Sequence, residues 1–307
     1  MKKTDCADWI AHFLAKDPPR SKSLVMTIFG DTIVPHGGAV WLGSLIELLA
    51  PFGVNDRLLR TSVFRLAQEG WLVASRDGRR SSYTVLPAVL ARFERAYRRI
   101  YAPLTVHWDG SWTVLLAAAA IDAPARAALR KELLWEGFAP IAPGVYGHPA
   151  ANADALDEIL ARVRLQGKLF ACRATELAQV SGRPLRELVD DGWDLSAVVA
   201  GYRQFIDTFA PLLAALQKSA ALAPGQAFVV RTLLIHAYRR VQLHDPMLPV
   251  ELLPDPWPGS EAYQLARALY RLSCGPAETH ILATLRREDG QAGAPDASFL
   301  DRFGGLR

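Results

Sequence analysis

Arginine is concentrated in one short stretch of the chain. Residues 57–80 contain six arginines and no lysine, against only two acidic residues, Glu69 and Asp77. A guanidinium group pairs with phosphate and can donate two hydrogen bonds to one guanine, so closely spaced arginines are typical of surfaces that bind nucleic acid. The first 105 residues hold 15 basic and 9 acidic residues, whereas the remaining 202 hold 20 and 22. The excess of positive charge therefore lies in the first third of the chain and predicts a polyanionic partner there.

A helix with clear ends must carry the first three of these arginines. Asn55 is placed to cap it, and Gly70 stands where the residue after the C-cap belongs. At about 100° per residue, Leu59, Val63 and Leu66 form one apolar stripe that must face a core. The opposite face holds the side chains that we expect to contact DNA: Arg57, Thr61, Arg65 and Gln68, with Arg60 on a flank.

A basic hairpin is predicted directly after this helix. The strand-like runs 71–75 and 81–86 flank Asp77 and Gly78. Asp-Gly favours a type I′ turn, because both central residues of that turn need positive φ. The turn would present three further DNA-binding candidates: Arg76, Arg79 and Arg80.

The segment before the capped helix completes a recognisable set of elements. Apolar spacing predicts helices over 22–33 and 41–49. Three helices and a hairpin are the elements of a winged helix-turn-helix, in which the third helix enters the major groove. The alternative is a solvated arginine face on an ordinary helical domain.

The rest of the chain divides into a mixed block and a helical block. Helical spacing over 89–101 predicts a connecting helix. After it, strand and helix patterns alternate in an order that fits a small ferredoxin-like α/β sandwich: a strand from Trp112, a helix over 124–136, a Gly-bounded segment at 144–147, a helix over 152–163 and a strand over 168–172. From 184 to about 287 the pattern is helical, interrupted by a proline-rich connector at 244–259. The polar stretch after Gly290 is expected to be loose.

Other features of the chain predict neither secretion nor a membrane span. The longest apolar run, 113–121, is shorter than the about 20 residues that cross a bilayer. The first 16 residues lack the apolar segment of a signal peptide, so we expect a cytoplasmic protein. Cys6, Cys172 and Cys274 are odd in number and far apart, which argues against disulfides or a zinc ribbon.

Three stretches carry a resemblance to a known family. They are residues 27–86, the segment EGFAPIAPGVYGHP at 136–149, and RTLLIHAYRRVQLHDPMLPVELLPDPWPG at 231–259. Together they resemble the PaaX family, the transcriptional repressors of phenylacetic acid degradation. The resemblance covers the chain from about residue 21 to residue 272.

The resemblance implies an α+β protein of three domains. These are an N-terminal winged helix-turn-helix, a middle domain similar to the Cas2 ferredoxin-like fold, and a helical C-terminal domain. With the spacing above, it places a winged helix at 21–88, a linker helix at 89–105, the middle domain at 106–178 and an effector and dimerisation domain at 184–290. It further implies a homodimer that represses by binding an inverted-repeat operator in double-stranded DNA and is released by phenylacetyl-CoA.

The residues that would bind such an effector are predicted from ligand chemistry. A coenzyme A thioester needs cationic donors beside an apolar, aromatic pocket. The candidates in the C-terminal half are Arg231, His236, Arg239, Arg240, Trp193 and Tyr202. Core packing and helix-end salt bridges are the alternative roles for these residues.

Two competing functions remain open. A Cas2-like metal-dependent nuclease would use Asp122, which follows the first strand of the middle block, although an Asp before Pro124 also suits a helix N-cap. A DNA-binding protein without an effector would leave some 200 C-terminal residues unexplained. The chain has no HExxH motif, no nucleophile elbow and no phosphate-binding glycine loop, so we expect no enzyme activity, no metal site and no cofactor.

Overall fold

The chain forms two compact units that do not follow the order of the sequence. The computed structural model describes residues 5–78, 80–102, 108–117, 121–151, 153–177, 185–218, 222–287 and 290–306. The first unit combines three stretches: 1–103, 203–240 and 261–307. The second combines two: 104–202 and 241–260. In each unit, segments far apart in sequence share one core.

Helices make up most of the described chain. The α-helices in chain order are α1 (Cys6–Lys16), α2 (Ser21–Ile28), α3 (Leu42–Leu49), α4 (Asp56–Gln68), α5 (Pro87–Tyr101), α6 (Ala123–Trp135), α7 (Ala153–Arg162), α8 (Leu185–Gly192), α9 (Ser196–Leu216), α10 (Pro224–Gln242) and α11 (Pro258–Thr284). A π-helical turn, Phe29–Ile33, continues α2, and 3₁₀ helices occur at Ala50–Phe52, Val250–Leu252 and Ala297–Gly304. None of the described helices is both long and apolar enough to cross a membrane.

Nine short strands are described, in three sheets. They are β1 (Ala39–Trp41), β2 (Leu72–Asp77), β3 (Arg80–Val85), β4 (Ser111–Ala117), β5 (Ala139–Ala142), β6 (Val145–His148), β7 (Leu169–Thr175), β8 (Arg286–Arg287) and β9 (Gly290–Gln291). The predicted mixture of helix and sheet is confirmed.

The first unit contains the basic segment. Its three-stranded sheet has the order β1-β3-β2, with both pairs antiparallel. The core beside it is built from side chains of α2, α3 and α4 without solvent exposure: Leu24, Val25, Ile28, Leu45, Leu48, Leu49, Leu59, Val63 and Leu66. Strand β1 was not predicted, because three residues are too few to show an alternating pattern.

Residues after Gly290 belong to the core of the first unit. Asp296 caps the 3₁₀ helix by accepting a hydrogen bond from the backbone N–H of Phe299 at 3.1 Å. Phe299, Arg302 and Phe303 are buried. The prediction of a loose C-terminal stretch is therefore wrong. Two phenylalanines four residues apart behind a capping Asp were the signal that the polar composition obscured.

The second unit contains a four-stranded sheet of order β5-β6-β4-β7, with antiparallel pairing throughout. In chain order its elements run β4, α6, β5, β6, α7 and β7. One face of the sheet packs on α6 and α7 through buried side chains, among them Leu115, Leu129, Leu133, Tyr146 and Ile159. Part of the other face packs against Val189, Trp193 and Leu252.

Candidate nucleic-acid interface

Helix α4 begins and ends where the sequence indicates. Asn55 has an extended backbone (φ −75°, ψ 161°), and its side-chain oxygen accepts a hydrogen bond from the backbone N–H of Leu58 at 2.9 Å. After the helix, Gly70 has a φ of 74°, a left-handed conformation that glycine adopts at little cost. The inward face is fully buried through Leu59, Val63 and Leu66. The predicted cap, C-terminus and orientation of this helix are confirmed.

The opposite face of α4 is exposed. Its exposed polar side chains are those singled out above: Arg57, Arg60, Thr61, Arg65 and Gln68. Arg60 pairs with Asp56 one turn earlier, with 2.8 Å between Nε and Oδ1. Within the described part of the chain, Arg57 and Arg65 have no acidic partner. These two guanidinium groups are therefore presented to solvent without internal neutralisation.

Two apolar side chains share this exposed surface. Leu58 is 46% exposed and Phe64 is 59% exposed. Helical spacing places Phe64 between Thr61 and Gln68 on the outward face, so the same periodicity that identifies the arginines also identifies it. Sequence reasoning gave neither residue a role. Apolar side chains on a DNA-reading helix can contact the methyl group of thymine.

Strands β2 and β3 form the predicted hairpin, with a turn shifted by one residue. The ladder runs from Leu72 opposite Val85 to Asp77 opposite Arg80. Gly78, with a φ of 57°, is therefore the first loop residue. The expectation that Asp77 and Gly78 are the two central residues is wrong, because Asp77 still pairs within the ladder. Arg79, which follows Gly78, lies outside the described residues.

The described arginines near the hairpin tip are exposed and locally held. The Nε of Arg76 donates to the carbonyl oxygen of Gly78 at 3.2 Å. The guanidinium of Arg80 lies 4.1 Å from the ring centre of Trp41, a cation–π contact between β3 and β1. This contact limits the orientations available to Arg80 while leaving its charge at the surface.

Helix α2 supports α4 from behind. The hydroxyl oxygens of Ser21 and Ser62 lie 2.9 Å apart in a buried hydrogen bond. At the surface, Lys22 forms an ion pair with Glu69 at the end of α4. These two contacts therefore hold α4 in a defined position against α2.

A buried ionic cluster lies elsewhere in the first unit, centred on Asp31. One carboxylate oxygen accepts a hydrogen bond from Nε of Arg231 at 2.9 Å, and the other accepts one from Nη1 of Arg302 at 2.9 Å. Tyr101 and Tyr270 also donate to this carboxylate, at 2.7 and 3.0 Å. Burial alone would raise the pKa of Asp31, but the two guanidinium charges and the two hydroxyl donors lower it below its ordinary value.

The same cluster extends to Glu278 on α11. Its carboxylate accepts hydrogen bonds from Nη1 of Arg231 at 2.6 Å and pairs with Nε2 of His36 at 3.0 Å. The remaining N–H groups of Arg302 lie among aromatic rings, with its guanidinium 4.2 Å from the ring centre of Tyr101. The cluster therefore joins the π-helical turn after α2, helices α10 and α11, and the 3₁₀ helix Ala297–Gly304.

A second buried contact joins α2 to α10. The Nδ1 atom of His236 lies 2.9 Å from the hydroxyl oxygen of Thr27, and Nη1 of Arg239 donates to the same oxygen at 3.0 Å. Burial, together with the charges of Arg239 and Arg240, lowers the pKa of His236 to about 4. His236 is therefore neutral at pH 7. It is a buried, hydrogen-bonded core residue, which is the alternative to a role in effector binding.

The six predicted effector residues are divided between the two units. Arg231 has no solvent exposure and is held by Asp31 and Glu278, so it is a core residue here with no surface to offer a phosphate. Arg239 is largely buried, and burial lowers its pKa. Arg240 is exposed and paired with Asp17 at 3.2 Å. Of the cationic candidates, Arg240 alone has an exposed ion pair.

The two aromatic candidates belong to the second unit. The indole N–H of Trp193 donates to the carbonyl oxygen of Gly137 at 2.7 Å. The hydroxyl oxygen of Tyr202 lies 2.6 Å from Oε1 of Gln242 and 2.6 Å from Oδ2 of Asp245. Their polar atoms are thus satisfied by protein partners, and their role in binding an effector stays a prediction.

Asp122 serves as an N-cap. Its carboxylate accepts a hydrogen bond from the backbone N–H of Ala125 at 2.8 Å, at the start of α6. This contact gives Asp122, which lies between β4 and α6, a structural role at the start of the helix. In the parts of the chain that the structure covers, no three His, Cys, Asp or Glu side chains form a group that could hold a metal ion.

Comparison with known proteins covers nearly the whole chain. Residues 20–86 match the family profile of PaaX-like proteins. Residues 105–189 match the central Cas2-like domain of PaaX proteins, and residues 193–283 match the PaaX-like C-terminal domain.

Two individual proteins are also similar to this chain over most of its length. The transcriptional repressor PaaX of Escherichia coli K12 is 36% identical over 307 residues, which span 100% of this chain and 96% of that protein. The solved structure of the uncharacterized protein Rv0674 from Mycobacterium tuberculosis aligns with a TM-score of 0.52 at 27% identity, covering 84% of this chain and 96% of the other. The resemblance seen in the sequence is confirmed: this chain belongs to the PaaX family.

Proposed function

We propose that the chain is a transcriptional repressor that binds an operator in double-stranded DNA through α4 and the β2–β3 hairpin. The observation that carries the proposal is the exposed arginine face of a capped helix, followed at once by a basic hairpin. The similarity to a protein described as a transcriptional repressor supports the regulatory role.

The arrangement of elements supports a winged helix-turn-helix at 21–88. Helices α2, α3 and α4 precede the hairpin, and β1 completes the sheet in the order β1-β3-β2. In this assignment α4 is the recognition helix and the hairpin is the wing. The predicted linker helix at 89–105 corresponds to α5, Pro87–Tyr101, and residues 103–105 of that prediction lie outside the described residues.

The remaining domain assignments follow the same reasoning. The element order and antiparallel sheet between residues 106 and 178 support a ferredoxin-like middle domain. The helical segment 184–290 is proposed as the effector and dimerisation domain.

The two basic features have different tasks in the proposed complex. Arg57, Thr61, Arg65 and Gln68 face the major groove, where arginine can recognise guanine and glutamine can recognise adenine. The hairpin arginines contact the phosphate backbone beside it. If all six arginines meet phosphates, log K falls with log salt with a slope of roughly −5 per protomer.

We further propose that the protein acts in the cytoplasm as a homodimer on an inverted repeat and that phenylacetyl-CoA releases it from DNA. These steps rest on the family resemblance. Release requires the thioester to bind the DNA-incompetent state more tightly, by about 1.4 kcal/mol per tenfold loss of affinity. Arg239 or Arg240 is the proposed contact to the coenzyme A phosphates, and Arg240 has the more accessible side chain.

A binding titration tests the DNA contact. Fluorescence anisotropy with a duplex from the region upstream of the protein's neighbouring genes is measured for the wild type and for Arg57→Ala/Arg60→Ala/Arg65→Ala. We expect the triple variant to lose specific binding while its circular dichroism spectrum and unfolding midpoint stay unchanged.

A matched control separates local contact from net charge. The variant Arg126→Ala/Arg130→Ala/Lys131→Ala also removes three positive charges, but from α6 in the second unit. It should bind the operator as tightly as the wild type. Normal affinity in the folded α4 variant would refute the proposed interface.

The effector is tested in the same assay. Phenylacetyl-CoA should release the DNA, whereas free coenzyme A and phenylacetate should not. Arg240→Ala should raise the thioester concentration needed for release. An unchanged release curve for both Arg239→Ala and Arg240→Ala would remove these residues from the effector site without affecting the DNA-binding proposal.

A further inference from the structure

One aromatic side chain on the outward face of α4 has no partner among the described residues. Phe64 is 59% exposed, and its ring forms no aromatic or cation–π pair in the part of the chain that the structure describes. At about 100° per residue, it lies about 140° around the helix from the buried Leu59. Single exposed apolar residues are common on protein surfaces, so exposure alone assigns no role. The surroundings of Phe64 decide what its ring can contact.

The neighbours of Phe64 on the helix surface are polar or cationic. Residues three and four positions apart are neighbours on a helix, which places Arg60, Thr61 and Gln68 beside the ring. Arg57 lies seven residues earlier on the same side of the helix. All four side chains are exposed. A partner that covers the ring must therefore combine anionic groups with an apolar group.

The major groove of DNA meets both requirements. Phosphates border the groove, and thymine presents a methyl group in it, which phenylalanine and threonine side chains can contact. The edges of guanine, adenine and cytosine present only hydrogen-bond donors and acceptors there. An apolar ring among the DNA-contacting side chains of α4 therefore fits thymine better than any other base.

The hydroxyl of Thr61 is already bonded within the helix. It donates a hydrogen bond to the carbonyl oxygen of Arg57 at 2.9 Å. A threonine hydroxyl has a single O–H to donate, so this bond leaves the methyl group of Thr61 for a contact outside the chain. Thr61 and Phe64, about one turn apart, thus contribute two apolar groups to the same part of α4.

The backbone that carries Phe64 is held in place. Ser62 and Val63, the two residues before it, are buried, and Leu66 beyond it has no solvent exposure. The hydroxyl oxygen of Ser62 lies 2.9 Å from that of Ser21 on α2. The ring of Phe64 is therefore presented from a fixed helix, as a contact that distinguishes one base from another requires.

We propose that Phe64 recognises the methyl group of a thymine in the major groove, with the methyl group of Thr61 beside it. The inference rests on the proposed DNA contact through α4 and identifies one base that this contact distinguishes. Arg57, Arg65 and Gln68 then recognise purines by hydrogen bonding, whereas Phe64 distinguishes thymine from cytosine by apolar contact.

Thymine-to-uracil substitution tests the contact. Uracil lacks only the 5-methyl group of thymine and keeps the same hydrogen-bonding atoms. In a duplex from the region upstream of the protein's neighbouring genes, each thymine of the bound segment is replaced in turn by uracil. Fluorescence anisotropy gives the affinity of each duplex at one fixed salt concentration. We expect at least one replacement to weaken wild-type binding about fourfold, the effect of removing one buried methyl group.

The variant Phe64→Ala connects that base to the residue. It should bind the unmodified duplex roughly tenfold more weakly than the wild type and lose no further affinity when the identified thymine becomes uracil. Thr61→Ser, which keeps the hydroxyl and removes the methyl group, should reduce the uracil effect at the same position. An unchanged effect in Thr61→Ser would remove Thr61 from the contact. Because Phe64 is exposed, the circular dichroism spectrum and unfolding midpoint of Phe64→Ala should match those of the wild type.

Leu58 supplies a matched control on the same helix. Its side chain is 46% exposed and lies about 120° around α4 from Phe64. Leu58→Ala should keep the full uracil effect, since the side chain that it removes does not lie over the same base. Loss of the uracil effect in Leu58→Ala as well would refute a contact specific to Phe64.

The outcomes distinguish this inference from the proposed function. If the wild type binds the duplex and no uracil replacement weakens binding, recognition of thymine by Phe64 is refuted and the repressor proposal stands. The same holds if Phe64→Ala keeps the full uracil effect. Normal affinity of Phe64→Ala with a changed mass in sedimentation velocity would place the ring against another protein chain and also refute the inference. If the wild type does not bind the duplex, the proposed function fails, and this inference fails with it.

Discussion

Arginine has opposite roles in two regions of the first unit. On α4, Arg57 and Arg65 are exposed and, within the described chain, lack acidic partners. Around Asp31, Arg231 and Arg302 are completely enclosed and neutralised by a buried carboxylate. The comparison teaches that the residue type does not locate a binding surface. The partner already supplied by the fold decides whether a guanidinium is available to a ligand.

The largest expected effect comes from removing the partner of the enclosed arginines. Asp31→Ala leaves Arg231 and Arg302 buried without their shared counter-charge, and breaking such a cluster typically costs about 3–5 kcal/mol. We expect a loss of this size in the free energy of unfolding, measured by urea denaturation. Asp31→Asn, which keeps the shape of the side chain, should also destabilise. A loss below about 1 kcal/mol in both variants would contradict the assigned role of the cluster.

The next effect is a pH dependence of stability that arises at the buried His236. The pKa of buried His236 is lowered to about 4, whereas an unfolded histidine titrates near 6.5. The unfolded state therefore binds the proton more readily, so the stability from neutral His236 is complete above about pH 6.5. It is lost as the pH falls towards 4, by up to about 3 kcal/mol.

A substituted variant isolates this contribution. His236→Gln keeps a hydrogen-bonding group near Thr27 but cannot titrate. Its free energy of unfolding should depend less steeply on pH between 4 and 6.5 than that of the wild type. Parallel curves for the two proteins would show that His236 does not titrate as described.

The smallest effect concerns the position of the exposed arginines. Asn55→Ala removes the cap of α4 and should cost about 1 kcal/mol of stability. Because the cap fixes the first turn, where Arg57 lies, operator affinity should also fall, by less than in the triple arginine variant. Asn55→Ser, which retains a capping oxygen and adds no charge, should keep both quantities near those of the wild type. An affinity loss in Asn55→Ala without any loss of stability would point to direct contact of Asn55 with DNA.

The exposed region was predictable because its determinants are local. The cap at Asn55, the apolar stripe of α4 and the glycine after it all lie within 16 residues, so periodicity and capping rules suffice. The hairpin was also found, although its turn was misplaced by one residue. A turn position depends on how far the strand ladder extends, and that is set by pairing with β3.

The buried region was not predictable, because its determinants are distant in sequence. Asp31, Arg231 and Arg302 show no mutual pattern along the chain, and each is unremarkable among its neighbours. The sequence instead places Arg231 in an effector site. The spacing of an arginine along a helix is the same whether its side chain faces a buried carboxylate or solvent, so the sequence pattern does not distinguish the two cases.

The place of Arg302 has a consequence for how the protein is made. The carboxylate of Asp31, in the π-helical turn after α2, receives its second counter-ion from a residue 271 positions later. During synthesis on the ribosome, the N-terminal segment emerges first but cannot complete its core until residue 302 is available. A growing chain that has already released α4 from the ribosome therefore still lacks part of the core of the first unit. Premature termination before residue 302 should therefore yield unstable fragments that the cell degrades.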